Sequence, residues 1–235
     1  TKSNQAHIGH GSLVREEGYV EGLKTMLELY EAPLRAADPA IVSDEDVNAI
    51  FSNARTIYSF NQVLLQSLSA KAEPIGKIFV KLTPFFKSYT LYSKTFDDAT
   101  SLIQRLKKTN AEFRKFLERQ AKQHTDVQSL DLLDAMLITP IQRIPRYNLL
   151  LLDLIRNTDE AHPDLANLKK ALELMKEVAD AVDGSIKFSE NINKLMRIQQ
   201  SIVWPEKEHV DLVQPHRQFV REGDAVLVTA KGKKM

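Results

Sequence analysis

LITPIQRIPRYNLLLLDLIRNT, from Leu137 to Thr158, places Gln142, Arg143 and Arg146 within little more than one helical turn and runs directly into a leucine block. A basic face on a helix is ordinarily just solvated. Here Pro140 and Pro145 perturb a helix that would otherwise run clean, which indicates an exposed side shaped for contact. The leucines that follow supply the buried side of the same helix, read from about Leu130 to Asn157.

On either side of this stretch the chain reads as long helices. Residues 85–139 contain neither glycine nor proline, and Gly184 is the only glycine between Lys77 and Glu222. A first helix is expected from about Ser12 to Ala37, with Leu13, Val20, Leu23, Leu27, Tyr30 and Leu34 forming one apolar stripe and Pro39 helping to end it. A second begins at Ser43, where Ser43 and Asp46 have capping-box spacing, and carries Val47, Ile50, Ala54, Ile57 and Leu64 inward. Pro74 and Pro84 bracket a shorter piece with Ile78, Phe79 and Leu82. Helices are then expected from Tyr89 to about Arg119 and, beyond the Leu137–Thr158 stretch, from Pro163 to about Gln199. Near Trp204 and Pro205 the character changes, and residues 210–229, β-branched and interrupted by Pro215 and Gly223, read as irregular chain and then strands. The fold class is therefore all-α: an elongated bundle of about six main helices with a short β-containing C-terminal segment.

Composition narrows the function. The 235 residues carry a net charge of +1, which argues against nucleic-acid binding through a bulk field. There is no cysteine, so no disulfide and no zinc–cysteine site. His7 and His10 sit in a polar terminal segment without acidic or cysteine ligands beside them, and no metal is expected. No phosphate-binding or dinucleotide loop is present, so no cofactor is expected, and no nucleophile and base pair suggests covalent chemistry. No apolar run reaches the roughly 20 residues that span a bilayer, and residues 1–11 look like a flexible segment and not a signal peptide.

One residue breaks the first stripe. Glu16 occupies a slot whose neighbours along positions 13, 20, 23, 27, 30 and 34 are apolar. Near a helix start it would ordinarily fray outward and favour the positive end of the dipole. A carboxylate that faced the core without compensation would cost several kcal/mol, so the alternative is that it points at a partner.

The Leu137–Thr158 stretch resembles the third conserved region of Dbl-homology domains, the exchange factors for Rho-family GTPases. Their pattern, P-x-Q-R-x-x-R-Y-x-L-L-L and then a threonine, is met by Pro140, Gln142, Arg143, Arg146, Tyr147, Leu149, Leu150, Leu151 and Thr158. The first conserved region, E-x-x-Y-V followed by leucines, is matched by Glu16, Tyr19, Val20, Leu23 and Leu27. The resemblance covers residues 12–200; residues 201–235 resemble a linker and the opening of a pleckstrin-homology domain, too short to close its barrel.

The resemblance implies catalysis of GDP release without any bond made or broken. Glu16 would engage the first switch segment of the GTPase, and Arg146 and Asp183 the second; these three are the catalytic candidates. Gln142, Arg143 and Ile138 complete the implied GTPase-binding set, with Arg143 assigned rather to holding neighbouring helices. Isoleucine at 138 leans towards a Rac-type partner, with Cdc-type second. On the apolar pattern alone Ile138 reads equally as ordinary core. Asp183 stands where asparagine is usual, and Gly184 follows where glutamate is frequent, a departure that invites a local helix irregularity. The competing reading is a catalytically silent helical scaffold that binds a GTPase or cytoskeletal partner. The chain is expected to be a monomer in the cytoplasm, recruited to the plasma membrane or cytoskeleton. Lys231, Lys233 and Lys234 would meet phosphoinositide headgroups only in a complete second domain, and as a short basic tail they read as solvated. Glu16→Ala is expected to abolish exchange with melting nearly unchanged.

Overall fold

The computed structural model describes residues 2–124 and 130–202, with side chains from Leu13 onward apart from those of residues 188–190, 192, 193, 196 and 200, and isolated points of the C-terminal segment: residues 212, 217, 219–221 and 223. The chain divides into two units, Thr1–Ile186 and Lys187–Met235. Among the described residues every regular element is helical. The strands expected within 210–229, and the lysines at 231, 233 and 234, lie almost wholly outside the described residues.

The first helix, α1 (Lys2–Met26), begins earlier than its apolar stripe, so the backbone of residues 2–11, read as a flexible segment, continues it. Val20, Leu23 and Met26 are buried along it. At Leu27–Glu31 the helix widens into one π turn, closed by the Ala32 amide donating to the Leu27 carbonyl, before α2 (Ala32–Ala36). Pro33 explains the widening. Its ring has no N–H and would crowd the carbonyl four residues back, and a wider turn relieves the clash. The π turn buries Leu27, Tyr30 and also Glu31, whose carboxylate is held by Arg35 at 2.9 Å and Arg55 at 2.8 Å.

Three expected helices are each broken once, always where a polar side chain ties the break to another element. Ser43 caps α3 (Asp44–Phe51), accepting from the Asp46 amide at 3.0 Å. This helix is separated from α4 (Ala54–Ala70) at Ser52, which adopts φ 46°. The kink is pinned by the Asn53 amide donating to the Ser88 carbonyl at 2.9 Å and by Thr95 Oγ1 bonding Ser52 Oγ at 2.8 Å. After α5 (Ile75–Leu82) and a short 3-10 turn, α6 (Ser88–Thr109) stops at Asn110. The Asn110 side chain caps α7 (Ala111–His124) by accepting from the Phe113 amide at 3.0 Å, and donates to the Ile41 carbonyl at 2.8 Å. The third break divides α8 (Leu132–Leu137) from α9 (Thr139–Arg156), just ahead of Pro140. By contrast α10 (Leu165–Ser201) passes through Gly184 without interruption, and nothing lies within 4 Å of where a Cβ would stand there. The irregularity expected beside Asp183 does not occur.

In the first unit α1 packs on α4, α8 and α9, and α6 packs on α3 and α9. An aromatic cluster anchors α9: the Tyr147 ring meets Phe79 and Phe86 edge-on at 5.7 and 5.2 Å. The start of α10 is clipped to α5. Buried Asp164 accepts from the Gly76 amide at 2.8 Å, and Gly76 lies so close that an added Cβ would stand 2.5 Å from the Leu168 backbone nitrogen.

In the second unit three described residues beyond α10 are bonded to its C-terminal part. Asn191 accepts from the Phe219 amide at 2.6 Å and donates to the Arg217 carbonyl at 3.0 Å, while the Leu212 amide donates to Gln199 at 2.7 Å.

Candidate functional site at the α1 and α9 groove

Between α1 and α9 lies an open groove of about 510 Å³. Arg15, Gly18, Tyr19 and Gly22 form its α1 wall; Arg143, Arg146, Tyr147, Leu149 and Asp153 are among those on α9. Arg146 projects into solvent and donates to exposed Gln142 at 3.1 Å, an i to i+4 pair that orients the guanidinium along the groove. Leu149 beside them is 61% exposed, a large apolar side chain next to the charged Arg146 and Asp153 on the same wall. Gly18 and Gly22, one turn apart on α1 and exposed, leave the α1 wall low.

Glu16 does not point outward. It is 1% exposed, beneath the groove floor, and the expectation of an outward carboxylate is corrected here. Its compensation comes from within the chain: Arg143, 7% exposed, forms a short ion pair with Oε2, and the Tyr147 hydroxyl lies 3.0 Å from both carboxylate oxygens. The Arg143 guanidinium is sandwiched between the rings of Tyr19 and Tyr147, 4.8 and 4.7 Å from their centroids. Arg143 therefore holds α9 to α1 and presents little surface to a partner.

The network continues inward. The Tyr147 hydroxyl is also 3.0 Å from Asn61 Oδ1, and Asn61 Nδ2 donates to the Ile57 carbonyl at 2.6 Å and to the Tyr89 hydroxyl at 2.8 Å. Tyr89 in turn bonds the Tyr19 hydroxyl at 3.0 Å, returning the chain of bonds to α1. One polar thread thus joins α1, α4, α6 and α9. Asn61 was invisible as a site residue, although its place on the apolar stripe between Ile57 and Leu64 was a signal of the same kind as Glu16.

Burial is the largest influence on Glu16 and raises its pKa above 4.5, against the opposing pull of Arg143 and Tyr147. The folded state then holds the proton more tightly than the unfolded chain. The contribution of Glu16 is most favourable below the unfolded value and declines as pH rises through the folded one. The stability of the protein relative to a Glu16→Gln variant is expected to improve as pH is lowered from neutral towards 4.5. Denaturant unfolding of the pair across that range checks it, and a difference that shrinks on acidification contradicts it.

The remaining sequence candidates are dispersed. Ile138 is half-buried at the junction of α8 and α9, and Asp183 is exposed on α10; neither lines the groove. Among the described residues no group of three or more His, Asp or Glu side chains is arranged to hold a metal, and no helix is long and apolar enough to cross a membrane.

A family model, the RhoGEF domain, matches residues 13–183. The chain is 34% identical over 221 residues to "Guanine exchange factor for Rac 30" of Dictyostelium discoideum, covering 91% of this chain and 13% of that protein. It is 32% identical over 238 residues to the human "FYVE, RhoGEF and PH domain-containing protein 1", covering 96% of this chain and 24% of the relative. It thus spans under a quarter of the length of these two relatives. Among solved structures, autoinhibited Vav1 superposes with a TM-score of 0.79 at 22% identity, over 90% of this chain and 38% of that one. The p115-RhoGEF DH/PH structure with an N-terminally truncated linker gives 0.74 at 19%, over 85% and 61%. These structural likenesses show the all-α fold, and the family match lies on the unit that carries the groove. The chain belongs to the RhoGEF, or Dbl-homology, domain family, whose members catalyse guanine-nucleotide exchange without covalent chemistry.

Proposed function

We propose that this chain accelerates GDP release from a Rho-family GTPase, Rac-type first, by docking the two switch segments over the α1 and α9 groove and the exposed face of α10. The observation that carries the reading is an exposed Arg146, bonded to Gln142, three residues along α9 from the buried Arg143 that holds Glu16. Relatives whose names include Rac support the order of partners. Residues 12–200 form the exchange domain in this reading, and the remainder opens a second domain that recruits the chain to a membrane or the cytoskeleton. The exchange domain acts as a monomer.

The mechanism is linkage. A surface that binds the nucleotide-free GTPase more tightly than the loaded form weakens nucleotide binding by the same factor. A factor of about ten thousand needs about 5.5 kcal/mol of differential contact. Arg146 and Asp183, both exposed, engage the second switch segment as the domain stands. Glu16 reaches the first only by leaving Arg143 and Tyr147.

Release of a fluorescent GDP analogue from Rac-, Cdc- and Rho-type GTPases tests the reading. Arg146→Ala is expected to slow stimulated release roughly 10- to 100-fold, the value of a charged hydrogen bond. Its unfolding free energy should stay within about 0.5 kcal/mol of the parent, as for other exposed positions. A chain that binds nucleotide-free GTPase yet accelerates none of the three is a silent scaffold.

A further inference from the structure

Tyr147 has one hydroxyl proton and faces acceptors on two sides: the Glu16 carboxylate and Asn61 Oδ1, both at 3.0 Å. Asn61 cannot turn its amide to resolve this. Both Nδ2 protons are committed, to the Ile57 carbonyl at 2.6 Å and the Tyr89 hydroxyl at 2.8 Å, and a flip would set Oδ1 against that carbonyl. While Tyr147 donates to Glu16, Asn61 Oδ1 goes without that proton; if Glu16 leaves, a rotation of one O–H bond satisfies Asn61 instead. Arg143 has no such alternative acceptor and keeps only the ring contacts it already makes. Tyr147 is thus the partner of Glu16 with a second place to turn.

We propose that Asn61 and Tyr147 are positioning residues for exchange: they form a two-position relay that stores Glu16 inside the domain and lets it leave for the docked GTPase without orphaning the Tyr147 hydroxyl. The relay rests on the exchange reading and deepens it. Asn61, wholly buried on α4, lines no part of the groove and acts only through Tyr147. The charged and titratable groups facing Glu16 are Arg143 and Tyr147 from α9, with Tyr19 of α1 and Tyr89 of α6 behind them. Such an arrangement biases an equilibrium between two bonded states of one side chain, and a loss on either side shifts it.

The signature of a relay is non-additivity. Asn61→Ala removes the waiting acceptor and is expected to lower the saturating rate of GDP release about five- to tenfold, the factor one hydrogen bond carries. Tyr147→Phe removes the bond on both sides and keeps the ring, and is expected to raise the rate about two- to threefold because the bond to the charged carboxylate is the stronger one. In the Tyr147→Phe background, Asn61→Ala should then have no further effect on exchange, although it still lowers the melting temperature. Additive rate losses that track melting would overturn the relay and leave Asn61 a packing residue. Should Asn61→Ala fail to fold, the isotope-labelled carboxyl signal of Glu16 in the unaltered chain decides: it should shift when a nucleotide-free Rac-type GTPase is added. An unchanged signal in a complex that forms would defeat the relay. No acceleration by the unaltered chain would defeat the exchange reading itself.

Discussion

Glu16→Ala is expected to lose about 3–5 kcal/mol of stability along with its exchange activity, because removing one partner of a buried pair leaves the other charge uncompensated. The residue left behind is Arg143, which has lost its carboxylate and cannot shed its proton. For a domain of this size the shift in melting temperature should be on the order of 10 °C. Sequence reasoning led to the opposite expectation, an inactive variant that melts normally, because it took the carboxylate to face outward. Calorimetry or thermal circular dichroism of the variant beside Glu16→Gln measures the difference. A melting temperature within about a degree of the parent would mean that Glu16 leaves the interior freely in solution.

Gly76→Ala should be more disruptive than its single methyl suggests. The new carbon would sit 2.5 Å from the Leu168 nitrogen and 2.9 Å from the Asn167 carbonyl carbon, and backbone cannot step aside as a flexible side chain does. The α5 and α10 segments would have to separate, stretching the bond from the Gly76 amide to Asp164. Overpacking usually costs about 1–3 kcal/mol, and a hydrogen bond to a charged group adds about 1.5–3 kcal/mol. A loss of about 3 kcal/mol or more by urea unfolding is the expected result; less than about 1 kcal/mol would show that the clip between α5 and α10 can open cheaply. Exchange measured well below the melting temperature should fall less than stability, since Gly76 lies away from the groove.

The helical class and most of the apolar stripes were legible because periodicity and the scarcity of glycine and proline are local properties. The breaks at Ser52 and Asn110 were not. Each is stabilised by bonds to residues far along the chain, Ser88 and Thr95 in one case and Ile41 in the other, and nothing in the neighbouring sequence declares them. The candidate site was legible in its membership and not in its geometry. Glu16 stood out as a charge in an apolar stripe and Arg143 as part of a motif. That they satisfy each other across 127 residues became visible only when α1 and α9 were brought together. Gly184 shows the reverse: a residue suspected of bending α10 sits on an open face where the helix has no reason to bend.

The π turn at Leu27–Glu31 reaches further than its five residues. One residue of an α-helix corresponds to about 100° of rotation, so the extra residue taken into the wide turn sets the rotational phase of everything N-terminal to it against α2. Glu16 lies about three turns upstream on that rotated segment. Without the wide turn the same side chains would follow one another in the same order, with the carboxylate carried around the helix axis and away from Arg143. The aim of α1 at α9 is thus dictated in part by a proline, Pro33, that lies beyond α1 in α2.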